Sequence, residues 1–114
     1  MKSKLLDSFP PKLKKQLQTI GANLKVARKK RKFSIDEMAL RAKVSYDTIS
    51  RAEKGDPSVS FGVYAQILSV LGLSKDLDLL ATPETDELGS ALLEQALPER
   101  IRRITSRTKA RRAP

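Results

Sequence analysis

The chain has neither cysteine nor histidine among its 114 residues. Without cysteine there is no disulfide to staple the fold and no thiolate for a zinc site. Without histidine it lacks the one side chain that ordinarily changes charge near neutral pH, as acid, base or switch. Aromatic residues are scarce, three Phe and two Tyr in all. No apolar run approaches the roughly 18 residues that a membrane span needs, and Met1 is followed by no signal-peptide core. A soluble, intracellular protein is expected. Phosphate-cradling glycine loops are absent, and no nucleophile has a histidine or cysteine companion. Asp36-Glu37 and Asp86-Glu87 are adjacent pairs, which point in different directions on a helix and form no dyad. No enzyme, metal or cofactor is expected.

What the chain has in excess is positive charge, 23 Lys and Arg against 13 acids for a net +10. Residues 1–32 hold eleven Lys/Arg and one Asp, and residues 33–55 hold four of each sign. Residues 56–97 hold one Lys and seven acids, and residues 98–114 hold seven Lys/Arg and one Glu. Basic ends around an acidic middle offer a polyanion one place to bind and another that repels it. The length suits one small domain, and a 39% hydrophobic content suffices for one helical core.

The stretch from Phe33 to Gly55 reads as two short helices joined by a turn. Ser34 and Glu37 have the spacing of a capping box, with Phe33 and Met38 as a hydrophobic staple around it. Ile35, Met38, Ala39 and Ala42 fall on one helical face. The same grammar then recurs. Ser45 is an N-cap, Val44 and Ile49 sit at staple spacing, and Gly55 supplies a left-handed C-cap. So short a link makes the helices cross steeply, and Ala39 is small where they come closest.

Before this stretch, Leu13, Leu17, Ile20, Leu24 and Ala27 recur at helical spacing and predict one buried stripe from Lys12 onward. Gly21 within that helix allows close packing. Its basic end, 28–32, suits the negative end of the helix dipole and can also reach phosphates. Leu5, Leu6 and Phe9 are apolar enough to dock. After Gly55, Asp56-Pro57 marks a turn. Ser60 caps a helix bearing Tyr64, Ile67, Leu68 and Leu71, with Val59 and Tyr64 as staple partners, and Gly72 ends it. Ser74 begins a shorter fifth helix with Leu77 and Leu80 inward. Thr82-Pro83-Glu84-Thr85 is a break, and 86–97 forms a further helix with Leu88, Leu92 and Gln95 on one face. Val70, Leu73 and Leu79 either complete the core or form an isologous dimer contact.

The pattern Ser34, Met38-Ala39, Val44-Ser45, Ile49-Ser50-Arg51, Glu53, Gly55 resembles the five-helix DNA-binding domain of phage repressors and many bacterial regulators, over about residues 13–81. The resemblance implies an all-α protein, a phage-repressor-type helix-turn-helix domain with an extra C-terminal helix and a basic tail. Its parts are a basic lead-in (1–11), the helix-turn-helix domain (12–81), an acidic helix or partner-binding segment (82–97) and a basic flexible tail (98–114). Two positions depart from the family's habit. Ile35 stands where Gln often contacts a phosphate. Lys43 stands where the turn often has Gly, so it must adopt a left-handed backbone or the turn must differ.

In such domains the N-terminal part of the second helix meets base edges in the major groove. The matching positions are Ser45, Tyr46, Asp47 and Arg51. Arg51 suits guanine O6 and N7, Tyr46 a thymine methyl or a phosphate, and Ser45 a phosphate or a base beyond its capping role. Asp47 accepts from cytosine N4 or simply orients Arg51 at i+4. Lys29, Lys30, Lys32, Ser34, Lys43, Ser50 and Lys54 are the expected phosphate contacts. The expected function is a homodimeric repressor on an inverted-repeat operator, in the cytoplasm at the nucleoid. The end ETDELGSALLEQALPERIRR further resembles that of HipB-like antitoxins, which implies a HipA-type serine/threonine kinase toxin as partner, with or without a third small subunit. A free-standing phage- or plasmid-type repressor is the alternative. A basic RNA-binding module would need an aromatic stacking platform that this chain lacks.

Overall fold

In the computed structural model, which describes residues 7–96, the chain is helical and no strand occurs among those residues. The helices are α1 (Pro11–Lys30), α2 (Ile35–Ala42), α3 (Tyr46–Glu53), α4 (Phe61–Val70), a 3-10 helix (Ser74–Leu79) and α5 (Glu87–Ala96). The chain divides into two units between Asp78 and Leu79. Among the described residues no helix is long and apolar enough to cross a membrane.

Serines start α2, α3 and α4 as their spacing predicts. The hydroxyl oxygens of Ser34, Ser45 and Ser60 accept from the backbone N–H of Glu37, Thr48 and Val63, at 3.0, 3.1 and 3.2 Å. Each bond satisfies a donor that the first helical turn leaves free. The reciprocal half of the box at α2 is replaced. Glu37 turns its carboxylate to Arg41 Nη2 (2.9 Å), whose guanidinium in turn stacks 4.3 Å from the Phe33 ring centre.

Helices α1 to α4 also end alike. Phe33, Val44, Asp56 and Leu73 each donate a backbone N–H to the carbonyl five residues back, at 3.2, 3.1, 3.1 and 2.8 Å. The preceding residue, Lys32, Lys43, Gly55 or Gly72, takes a left-handed φ of 58, 59, 76 or 77°. This is the Schellman closure, which recovers carbonyls that the last turn orphans. Lys43 thus adopts the left-handed backbone rather than reshaping the turn, and Lys32 does so too.

The core gathers Leu24 from α1, Met38, Ala39 and Ala42 from α2, Ile49 and Ala52 from α3, Val59 from the loop, Ile67 from α4, and Leu71. Met38 and Ile49 are sealed from solvent, and each stabilises the fold by about 1.5–3 kcal/mol. The alanines let the backbones of α2 and α3 approach. Where α1 crosses the end of α3 even alanine is too large. A Cβ on Gly21 would lie 2.6 Å from the Glu53 carbonyl oxygen, and one on Gly55 would lie 2.5 Å from that of Leu17.

Several apolar positions behave differently from their periodicity. Leu13 and Ile20 are exposed, at 37% and 45%. The stripe of α1 is buried only toward its C-terminal half, because the shorter α2 and α3 cannot cover twenty residues. The fifth helix is a 3-10 helix, and Leu80 lies outside it and 56% exposed rather than inward. The left-handed Ala81 (φ 51°) turns the chain there. Val70 and Leu73 are half-buried against the core, whereas Leu79 is 71% exposed. Phe9 is half-buried. In the second unit, Gly89 N–H donates to Asp86 Oδ1 (2.9 Å) at the start of α5, and no residue of α5 is buried. Leu5, Leu6, Leu97 and the basic tail lie outside the described residues.

Candidate nucleic-acid interface

At the start of α3 the sequence leaves polar groups in solvent above a buried floor. Ile49 and Ala52 face inward at 0% exposure, so Asp47 on the opposite side of the helix faces out, while Tyr46 flanks the buried face in the first turn and remains exposed. Tyr46 is 53% exposed and the Asp47 side chain 79%. Ser45 caps the helix and also shares a 2.8 Å hydrogen bond with the Thr48 hydroxyl, which leaves it one more hydrogen bond to offer.

Arg51 is less free than its sequence position suggests. Its Nε–H donates to Asp47 Oδ2 at 3.0 Å, and its Nη1 donates to Ser58 Oγ at 3.1 Å and lies 3.7 Å from Asp56 Oδ2. Asp47 therefore orients Arg51, as one of its two expected roles required. Nη2 alone has no partner among the described residues. Beneath Arg51 the loop is itself fastened. Asp56 Oδ1 accepts from both N–H (2.8 Å) and O–H (2.7 Å) of Ser58, and the Tyr64 hydroxyl donates to the Asp56 carbonyl (2.9 Å). Burial, with a smaller effect of the Asp56 charge, raises the Tyr64 phenol above its ordinary pKa.

The basic run at the end of α1 is not uniform. Lys29, Lys30 and Lys32 are exposed. Arg28 is 6% exposed and serves the fold. Its Nε and Nη2 grip both oxygens of Glu53, at 2.7 and 3.1 Å, and its Nη1 donates to the Phe33 carbonyl at 2.8 Å. The hydrogen bond it donates to Glu53 outweighs the burial and holds the guanidinium pKa above its ordinary value. This pair ties the last turn of α1 to the last turn of α3, which brings Lys29 and Lys30 near the end of the helix that Lys54 follows. Ser34, Lys43 and Lys54 are exposed, and Ser50 is half-buried.

Two features of this surface were not apparent in the sequence. Arg28 follows Leu24 at i+4 and so shares its face, but Glu53, the partner that lets a cation be buried there, lies 25 residues away. The support of Arg51 by Ser58 also depends on how the loop folds back, although Asp56-Pro57-Ser58 does announce a turn. The exposed Phe61 ring (66%) at the start of α4 is a further surface feature with no sequence signal.

Comparison with curated proteins and with solved structures gave no match. A family model described as a helix-turn-helix domain matches residues 19–80, more than half of the chain and all of α2, α3 and α4. The chain belongs to the helix-turn-helix domain family, a family of DNA-binding modules.

Proposed function

We propose that the protein is a sequence-specific repressor that binds an inverted-repeat operator as a homodimer. One observation carries this reading: Ser45, Tyr46 and Asp47 stand exposed at the start of a helix whose other face is fully buried. A helix held so firmly presents the same side chains at each encounter with a major groove. Tyr46, Asp47 and Arg51 Nη2 read bases, with Ser45 beside them. Lys29, Lys30, Lys32, Ser34, Lys43, Ser50 and Lys54 hold phosphates. Dimer contacts are assigned to the half-buried Val70 and Leu73 and, separately, to the exposed Leu79.

Within this class we favour the antitoxin and autoregulator of a HipA-type kinase operon, working in the cytoplasm. The support is the resemblance of the acidic-then-basic C-terminal segment, together with the exposed Leu88, Leu92 and Leu93 of α5 (71%, 54% and 47%) beside acidic residues. Selection from a random duplex library tests the operator reading. Enrichment of an inverted repeat, bound with steeply falling affinity as salt rises, is the expected result; recovery of no preferred sequence would refute it. Co-expression with the product of the adjacent gene tests the narrower reading. Co-purification of a kinase-like partner supports the antitoxin role, and operator binding without any such partner favours a free-standing phage- or plasmid-type repressor.

A further inference from the structure

We infer that Asp56 and Ser58 are positioning residues that choose which edge of Arg51 faces DNA, and so set sequence preference more than affinity. This rests on the operator reading above. The direction of the chain of hydrogen bonds is fixed by chemistry. An arginine only donates and an ionised aspartate only accepts, so Ser58 must accept from Arg51 Nη1 (3.1 Å) and donate to Asp56 Oδ1 (2.7 Å). Each donor polarises the next, and the Ser58 backbone N–H bond to the same oxygen (2.8 Å) holds the Asp56 carboxylate in place to accept from the hydroxyl. The Tyr64 hydroxyl then pins the Asp56 backbone to α4 at 2.9 Å.

The physical consequence lies in what is left over. An unsupported arginine on a helix can swing to whichever phosphate is nearest, which binds every sequence alike. With Nε and one N–H of Nη1 taken, Arg51 is held roughly in one plane, and its Nη2 is left without a hydrogen-bond partner among the described residues. That group can meet a guanine acceptor only in one register of the helix in the groove. Asp47 alone would not hold this geometry. Its carboxylate is 79% exposed and its i,i+4 bond to Arg51 is a surface ion pair of small net worth. The Ser58 and Asp56 side is the more enclosed one, with Arg51 and Asp56 side chains 27% and 23% exposed.

The test uses the full chain, the duplex that the wild-type protein enriches from a random library, and an unselected duplex of equal length. The ratio of the two affinities at fixed salt is the readout, with thermal melting to confirm that each variant folds. Ser58→Ala should lower the ratio about tenfold, on the order of one lost base discrimination, while binding to the unselected duplex stays within about twofold. Asp56→Asn should move the ratio the same way, and Ser58→Thr, which keeps the hydroxyl, should restore it. In an Arg51→Ala background Ser58→Ala should change nothing more, since the two share one contact. An unchanged ratio in Ser58→Ala, or an equal further fall in the Arg51→Ala background, overturns the proposal. If Arg51→Ala itself keeps the ratio, operator reading survives and the positioning role falls. If no duplex is enriched at all, the operator reading falls first and this one with it.

Discussion

The ends of α1 and α2 and the ends of α3 and α4 are closed by the same pair of backbone hydrogen bonds, yet the first two turn on lysine and the last two on glycine. A side chain at a left-handed backbone costs about 1 kcal/mol, which glycine avoids. The glycines have different reasons. At Gly55 the carbonyl of Leu17 leaves no room for a Cβ, whereas at Gly72 nothing lies within 4 Å and the backbone conformation alone favours glycine. Lys32 and Lys43 occupy equally left-handed positions without that relief. Their turns are held from outside instead: Arg28 Nη1 fixes the Phe33 carbonyl just beyond Lys32, and Val44 beyond Lys43 packs on the core. Strain kept at two lysines on the proposed phosphate-binding face is what one expects if their charge is needed there.

The sharpest way to break this comparison is at the glycines. Gly55→Ala should destabilise by at least about 3 kcal/mol, since it adds a backbone clash to the strain, whereas Gly72→Ala should cost only about 1 kcal/mol. Urea unfolding of both variants measures the difference. Equal losses would mean that the close approach of α1 to α3 has been misjudged.

Next in size is the clamp that supports the lysine turn. Arg28→Met leaves Glu53 buried and unpaired and should cost about 3–5 kcal/mol. The double variant Arg28→Met with Glu53→Met should recover much of this, because two apolar side chains remove both buried charges. A double variant as unstable as the single one would show that the Phe33 carbonyl contact, not the ion pair, is what matters.

Lys43→Gly tests the comparison directly, and its two effects have opposite signs. Chemical denaturation should show a gain of about 1 kcal/mol as the left-handed strain is relieved. DNA affinity should fall for all sequences alike, and the salt slope should shrink by about the 0.9 that one phosphate contact contributes. Unchanged binding would leave the lysine without a role in the complex.

The smallest effect concerns Tyr64, which braces the residue after Gly55. Its phenol pKa is raised in the folded protein from an ordinary 10.0, so the folded state holds the proton more tightly than the unfolded one. The associated stability is complete below about pH 10 and is lost as pH rises through the raised value. Tyr64→Phe should lower stability at neutral pH by about 1 kcal/mol and remove this part of the alkaline decline. Melting temperatures of both proteins from pH 8 to 11 give the comparison, and parallel curves would count against the brace.

The sequence by itself determined the helix order, the three serine caps and the two glycine closures, because each depends on groups within about five residues of one another. Hydrogen bonds of that reach follow spacing rules that any chain must obey. The family resemblance, and not the residues alone, marked Lys43 as an anomaly, and it did not mark Lys32, which sits in a run of cations that looks locally uniform. Tertiary structure decided the rest. Spacing puts Arg28 on the face of Leu24, but only the crossing of α1 with α3 supplies the Glu53 that lets it be buried there, and only the return of the loop gives Arg51 its Ser58 partner. Helical periodicity showed which face of α1 is apolar but not how far the neighbours reach along it, so Leu13 and Ile20 remain in solvent. A periodic pattern specifies a direction in space; what occupies that direction is set by other segments, whose distance along the chain the pattern does not encode.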